Sequence, residues 1–381
     1  MTARGVRRPA WAEVSRSALT HNVSTLTSIL GETSLCAVMK ANAYGHGATL
    51  IAGSVLDAGA DSLGVALVDE GIELRAVGVS SPILVLTEVL PATMPDAFTA
   101  GLTLTIGSVE GARGAVAAAE QLGGRHRVHV KVDTGMFRMG ALPEQVEAVM
   151  DVLLASSAVD VEGLFTHFSV ADGSSPEDRE FTQGQIDVFS DVAATLESRG
   201  VRPRVRHAAN SAGVLGYPSA HFDMARVGLA LYGHWPAAWL IGAASSATLE
   251  PVLSLRARVV AVRRADAGAR PSYGRHRALT RSANVATVPF GYADGYPHLL
   301  FDNGAEVLIN ATRYPLAGAV TMDQLVIDCS DDPVQPGDEV VLLGRQGGEE
   351  ITALEWARHA ETITWEILAG IGDRVPRVLV D

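Results

Sequence analysis

Residues 37–48 read AVMKANAYGHGA. An apolar run with strand character ends on Lys40, and the chain then breaks into a loop containing Asn42, Tyr44, His46 and two glycines. A lysine after a strand is most often a solvated surface residue. The rest of the chain must therefore give Lys40 company before it carries meaning. The same unit recurs along the sequence. Short apolar runs (SLCAVMK, SLGVAL, PILVLT, LTLTIG, RVHVKVDT, VDVEGLFTHF, RVRHAAN and FDMARVGLALYG) alternate with helical patterns between about residues 15 and 234. In the opening helix Leu19, Val23, Leu26 and Leu30 recur at helical spacing. Runs apolar on both faces, alternating with helices, predict an α/β chain built on a closed parallel (β/α)8 TIM barrel, with an open doubly wound sheet as the runner-up.

After about residue 240 the texture changes. PVLSLRARVVAVRRADAG, ANVATVPFGYADG, AEVLINATRYPLAGAVTMDQLVIDC and GDEVVLLG are rich in strand formers, and one helix candidate follows, TALEWARHAE. The expected organisation is a barrel over residues 10–240 and a mainly β C-terminal domain over 241–381. Active sites of parallel barrels lie at the C-terminal ends of the strands. Lys40 ends the first run. Arg138, His167, Asn210, Ser211 and Arg226 end or follow others. All would converge on one face, which a stray surface lysine would not share.

Composition removes several function classes. The chain has 381 residues, of which 48% are hydrophobic and 19% charged, enough for a large core and too apolar for disorder. A formal charge of −13 argues against a nucleic-acid partner or an anionic membrane surface. Cys36 and Cys329 have no CxxC spacing and make no disulfide framework, so a reducing compartment is expected. With no signal peptide or membrane span visible, the expected location is cytoplasmic. GxGxxG, P-loop, GxSxG and HExxH motifs are missing, and the histidines lack metal-ligand spacing, so no metal is expected.

The segments AVMKANAYGHG, KVDTGMFRMG, FTHFSVAD, NSAG, MARVGLALYG, PSYG, PFGYADGYP, TMDQLVID and DRVPR together resemble those of the alanine racemases, in that family's order and over nearly the whole chain. The resemblance implies a pyridoxal 5'-phosphate enzyme that interconverts L- and D-alanine, with D-alanine supply to peptidoglycan as its use. It implies a cofactor-holding barrel, a C-terminal β domain, and a head-to-tail homodimer whose partner contributes to each site.

Residue roles follow on the same basis. Lys40 would bind the cofactor covalently and then act as a base, since burial lowers a lysine's pKa and frees its amine. Tyr273 in PSYG would be the second base, delivered by the partner. His167 would stack on the cofactor ring and orient Arg226, and Arg226 would face the pyridine nitrogen with a permanent charge. Tyr44, Asn210, Ser211 and the amides of Gly228 and Leu229 would serve the phosphate. Arg138 and the Met322 amide, the latter from the partner, would bind the substrate carboxylate, with Asp323 structural. Lys131 lies inside VHVKVDT, where an unpaired ammonium is costly. In the family it is often carbamylated, so the resemblance implies a carbamylated Lys131 here, with a bound chloride as the alternative.

Departures from the pattern keep rivals open. Trp365 stands where the family usually has a tyrosine that reaches the phosphate and narrows the gate shared with Tyr292. Phe137 replaces a usually small residue, and Thr321 replaces a frequent cysteine. A racemase for serine or another amino acid, a different pyridoxal barrel enzyme, and a non-catalytic cofactor carrier are the alternatives.

Overall fold

The computed structural model describes residues 8–244 and 247–381, in two compact units. One comprises described residues of 18–43 and 48–250; the other comprises 8–17, 44–47 and 251–381. The units interleave along the chain, because β1 (Ala10–Ser15) and the short segment 44–47 cluster with the C-terminal strands.

The larger unit is a parallel barrel. Its strands are β2 (Ser34–Val38), β3 (Ser62–Val65), β4 (Ile83–Glu88), β5 (Thr103–Ile106), β6 (His126–Lys131), β7 (Val159–Phe165), β8 (Val205–His207) and β9 (Met224–Val227). They form an eight-stranded sheet in the order β8-β7-β6-β5-β4-β3-β2-β9. Two backbone hydrogen bonds join its ends: the Asp223 amide to the Arg206 carbonyl at 3.0 Å and the Arg226 amide to the Ala209 carbonyl at 2.9 Å. Each of the eight apolar runs named from the sequence contributes one of these strands. Strands covered by helices outside and filled inside must be apolar on both faces, which is the signal those runs carry.

Helix Arg16–Leu30 buries Leu19, Val23, Leu26 and Leu30, the four periodic positions, together with Asn22. Asn22 is held by the Leu231 and Glu250 carbonyls at 3.1 and 2.8 Å. The longest helix, Pro176–Ser198, starts with a capping box in which Ser175 accepts from the Asp178 amide and Pro176 occupies the first turn.

The smaller unit is mainly β. Its larger sheet contains β1, β10 (Leu253–Arg258), β13 (Glu306–Ile309), β14 (Thr312–Pro315), β16 (Glu339–Gln346), β17 (Glu349–Ile351) and β18 (Arg377–Val380). The smaller sheet is β11 (Ala261–Ala265), β12 (Ala283–Val288) and β15 (Leu325–Asp328), all antiparallel. Helix Ala353–His359 is the one read from TALEWARHAE. A second helix, Thr364–Ala369, follows it and carries Trp365. At six residues it is too short to show a period. Among the described residues no helix is long and apolar enough to cross a membrane.

Candidate active site

The break after β2 has an unusual backbone. From Ala41 to Tyr44 four successive non-glycine residues take φ between 52° and 55°, and Gly45 follows at 78°. A left-handed conformation costs roughly 1–2 kcal/mol per L-residue, so four of them store roughly 4–8 kcal/mol. Strain of this size persists only where surrounding contacts over-determine it. The Ala43 amide donates to the Met39 carbonyl at 2.7 Å. Asn42 Oδ1 accepts from the Ala48 amide at 2.7 Å. Glu70 Oε1 accepts from the Ala41 amide at 2.6 Å, while its Oε2 takes the Ala66 and Leu67 amides at 2.8 and 3.0 Å. In the smaller unit, Arg377 Nε donates to the Gly45 carbonyl at 3.0 Å. A Cβ on Gly45 would sit 2.1 Å from the Leu368 carbonyl oxygen, so only glycine fits there. Lys40 opens this turn at the C-terminal mouth of the barrel, half-buried. Burial lowers its pKa, Arg138 and Arg226 lower it further, and Glu70 opposes them.

Lys40 stands among other cations. Lys131 ends β6 buried, with its ammonium 5.6 Å from the centre of the Phe165 ring. Burial, then Arg226 and Arg138, push its pKa down to about 8, against Asp133. His167 is held well below its ordinary value by burial and by Arg226, Lys131, Arg138 and Lys40, so its imidazole is neutral. Arg138 lies on the exposed loop after β6. Asp133 Oδ1 fixes that loop by accepting the amides of Gly135, Met136 and Phe137 at 2.9, 2.9 and 3.0 Å. Phe137 is 82% exposed, with φ of 53°.

Arg226 is 3% exposed and its hydrogen-bond acceptors include no carboxylate among the described residues. Its Nη2 donates to the Thr166 and Ala208 carbonyls at 2.7 and 3.0 Å and to His167 Nδ1 at 3.2 Å. Its Nη1 donates to His207 Nδ1 at 2.8 Å. Burial lowers its pKa to about 10, which leaves it charged at neutral pH. A group of cations this poorly neutralised calls for an anionic ligand.

An anion cradle adjoins it. Asn210 caps the helix Ser211–Gly216, with Oδ1 accepting from the Gly213 amide at 2.9 Å. Ser211 Oγ accepts from the Gly228 and Ala230 amides at 3.1 and 3.2 Å. The Gly228 amide expected to serve a ligand directly is thus engaged by Ser211. With both lone pairs used, the Ser211 hydroxyl hydrogen is left to donate. Leu229 opens a 3-10 turn, so its amide has no acceptor within that turn. This donor set suits a phosphate, and the neighbouring cations suit the remaining charge of a pyridoxal phosphate. Ser211, Leu229, Arg226 and Lys40 would hold that group.

The smaller unit carries the remaining candidates. Tyr273 is 76% exposed on a loop fixed by Ser272, whose Oγ donates to the Ala319 carbonyl at 2.6 Å. Gly318 admits that loop, since a Cβ there would lie 2.3 Å from the Pro271 oxygen. Tyr292 and Met322 are half-exposed and on adjoining loops: the Tyr292 amide donates to the Thr321 carbonyl at 3.0 Å and the Ala293 amide to Met322 at 3.1 Å. Buried Asp294 anchors them, gripped by both Arg8 Nη atoms at 2.6 Å. Asp323 pairs with Arg374 at 2.6 Å. Tyr44 clusters with this unit, 8% exposed, and burial pushes its hydroxyl up to about 12. Trp365 is half-buried on its short helix.

The alanine racemase N-terminal domain matches residues 14–236, and the alanine racemase C-terminal domain matches 252–379. The chain belongs to the alanine racemase family. An alanine racemase of Symbiobacterium thermophilum is 46% identical over 371 residues, 97% of each chain. The crystal structure of the Bacillus anthracis alanine racemase with bound L-Ala-P superposes with a TM-score of 0.92 at 34% identity, covering 99% of this chain and 96% of that one. The alanine racemase from D-cycloserine-producing Streptomyces lavendulae gives 0.91 at 37% identity, covering 99% and 98%. As an alanine racemase this chain is an isomerase that interconverts L- and D-alanine with pyridoxal phosphate as cofactor.

Four residues not named from the sequence hold the candidate ones in place: Glu70 the turn of Lys40, Asp133 the loop of Arg138, and His207 and Thr166 the Arg226 guanidinium. His207 ends β8 much as His167 follows β7, and that position was the available signal.

Proposed function

We propose that racemisation proceeds by two bases, Lys40 and Tyr273, acting on opposite faces of the substrate. Bound pyridoxal phosphate withdraws electrons and so stabilises negative charge at the substrate α-carbon. Lys40 Nζ takes or returns the α-proton on one face, and Tyr273 Oη does so on the other. The observation that carries this reading is Lys40 itself: a half-buried amine with lowered pKa, held on a strained turn beside two arginines. A lysine so placed spends more time neutral and able to accept a proton.

The other roles form one scheme. The barrel binds the cofactor, and the partner's mainly β unit supplies the second base. His167 would pack on the cofactor ring. Arg226 would present a fixed charge to the ring nitrogen and so disfavour its protonation. Ser211 and Leu229 hold the phosphate, with Asn210 and Gly228 shaping the turn. Arg138 and the partner's Met322 amide hold the substrate carboxylate, and Tyr292 and Trp365 narrow the gate. The exposure of Tyr273 and Met322 fits delivery into a partner's barrel, so the working unit is a homodimer with shared sites. Its place is the cytoplasm and its product feeds peptidoglycan.

Lys131 is carbamylated in this scheme. With a pKa of about 8, roughly a tenth of its amine is neutral at pH 7. That amine adds to carbon dioxide with loss of one proton, turning a buried cation into an anion able to bond Arg138.

Chiral product analysis tests the function. Purified protein loaded with pyridoxal phosphate is expected to convert L-alanine to D-alanine, and Lys40→Ala to abolish this. A different dominant substrate, or activity surviving in Lys40→Ala, would overturn the reading.

A further inference from the structure

Arg226 is a buried cation whose hydrogen-bonding partners include no carboxylate among the described residues, yet one of its contacts leads to a carboxylate. His207 Nδ1 lies 2.8 Å from Arg226 Nη1, His207 Nε2 lies 2.8 Å from His129 Nδ1, and His129 Nε2 lies 3.3 Å from Glu162 Oε2. His207 is fully buried and His129 is 4% exposed. We propose that Glu162 is a positioning residue for Arg226, acting through a one-way hydrogen-bond relay that locks His129 and His207 as neutral Nε2–H tautomers.

The direction follows from donor chemistry at both ends. A guanidinium only donates, so His207 Nδ1 must carry a lone pair. A neutral His207 then bears its hydrogen on Nε2 and donates to His129 Nδ1. His129 in turn bears its hydrogen on Nε2 and donates to Glu162. An ionised carboxylate only accepts, so Glu162 requires the same tautomer that Arg226 requires. Glu162 is kept ionised by His129, with Arg127 and Arg204 at 3.8 and 3.5 Å from its other oxygen. Burial keeps both imidazoles below their ordinary values, His207 well below.

The surroundings hold the rings in place. Phe165 stacks on His207 at 4.6 Å and 6°, with the Arg226 guanidinium 5.1 Å from the same ring. Gly163 leaves room for His129, since a Cβ there would lie 2.5 Å from its Nδ1. Reversing either tautomer would set two hydrogens against each other at a contact of 2.8 Å. Arg226 would then have to turn away or share its remaining acceptors. The relay thus fixes the face that Arg226 presents, and its catalytic consequence rests on the role assigned to Arg226 above.

The test is nitrogen NMR of histidine-labelled full-length protein, wild type against Glu162→Ala and Glu162→Gln. Both His129 and His207 in the wild type are expected to show a single neutral Nε2–H tautomer. Glu162→Ala should mix the tautomers of His129 and shift His207, and should lower kcat roughly tenfold, the scale of one lost hydrogen bond. Glu162→Gln should restore the wild-type pattern, because its amide oxygen can accept in the same place. Thermal melting reports folding of each variant. A wild-type His207 with its proton on Nδ1, or a Glu162→Ala protein that folds with both imidazoles unchanged, overturns the relay. The expected tautomers in a wild type that fails to racemise alanine support the relay and overturn the assignment of Lys40 and Tyr273.

Discussion

Replacing Glu70 with glutamine should release the turn that presents Lys40. The carboxylate takes Ala41 on one oxygen and Ala66 with Leu67 on the other. It is also the third residue of helix Val68–Ala76, reaching back to the amide of its N-cap, Leu67. Glutamine has one acceptor oxygen. Keeping the two helix-start amides on that oxygen points its NH2 group at the Ala41 amide, donor against donor. The lost bond is to a charged acceptor, about 1.5–3 kcal/mol. A middle value of about 2 kcal/mol is roughly a thirtyfold change in the turn's opening equilibrium. That loss falls on a segment already carrying roughly 4–8 kcal/mol of left-handed strain. Hydrogen exchange of the Ala43 amide reads the opening directly, because its bond to Met39 exists only in the closed turn. Glu70→Gln should lower that protection roughly thirtyfold while amides of strand Ser34–Val38 keep theirs. Racemisation should weaken with it. Unchanged Ala43 protection would refute the assignment of Glu70 as the clamp.

Asp133→Ala strips the acceptor from three loop amides and should cost about 3 kcal/mol by urea denaturation, with a raised KM for alanine as Arg138 shifts. Lys131 holds its proton less tightly folded, at about 8, than unfolded, at 10.5. Between those values the unfolded chain retains a proton that the folded chain has released, so unfolding free energy rises with pH there, by up to about 3 kcal/mol. In carbon dioxide-free buffer this rise should be present in wild type and missing in Lys131→Met; bicarbonate should suppress it. Mixing inactive Lys40→Ala and Tyr273→Phe proteins should regenerate activity if each site draws on both subunits, and no recovery after subunit exchange would count against sharing.

The barrel was legible because its signal is local. Each strand is a short apolar run, and Leu19, Val23, Leu26 and Leu30 mark a buried helix face by spacing alone. The pairing of Ala10–Ser15 with Leu253–Arg258 and Arg377–Val380 was not legible, since nothing in AWAEVS names partners more than two hundred residues away. The left-handed turn was hidden for a different reason. KANAY contains only Asn42 as a residue that tolerates positive φ well, and the conformation is imposed by Glu70 and by contacts remote in sequence. Motif segments exposed Lys40, Arg138, His167 and Arg226 as candidates. His129, Glu162 and His207 lie in strands read as core, and only three-dimensional adjacency joins them to Arg226.

Deuterium exchange in Tyr273→Phe tests the two-base assignment most directly. The variant, loaded with pyridoxal phosphate, is incubated in heavy water with L-alanine and D-alanine separately. With Lys40 and Tyr273 on opposite faces, one enantiomer should still exchange its α-hydrogen through Lys40 while the other exchanges slowly and interconversion falls. Equal exchange of both enantiomers with interconversion at the wild-type rate would contradict it.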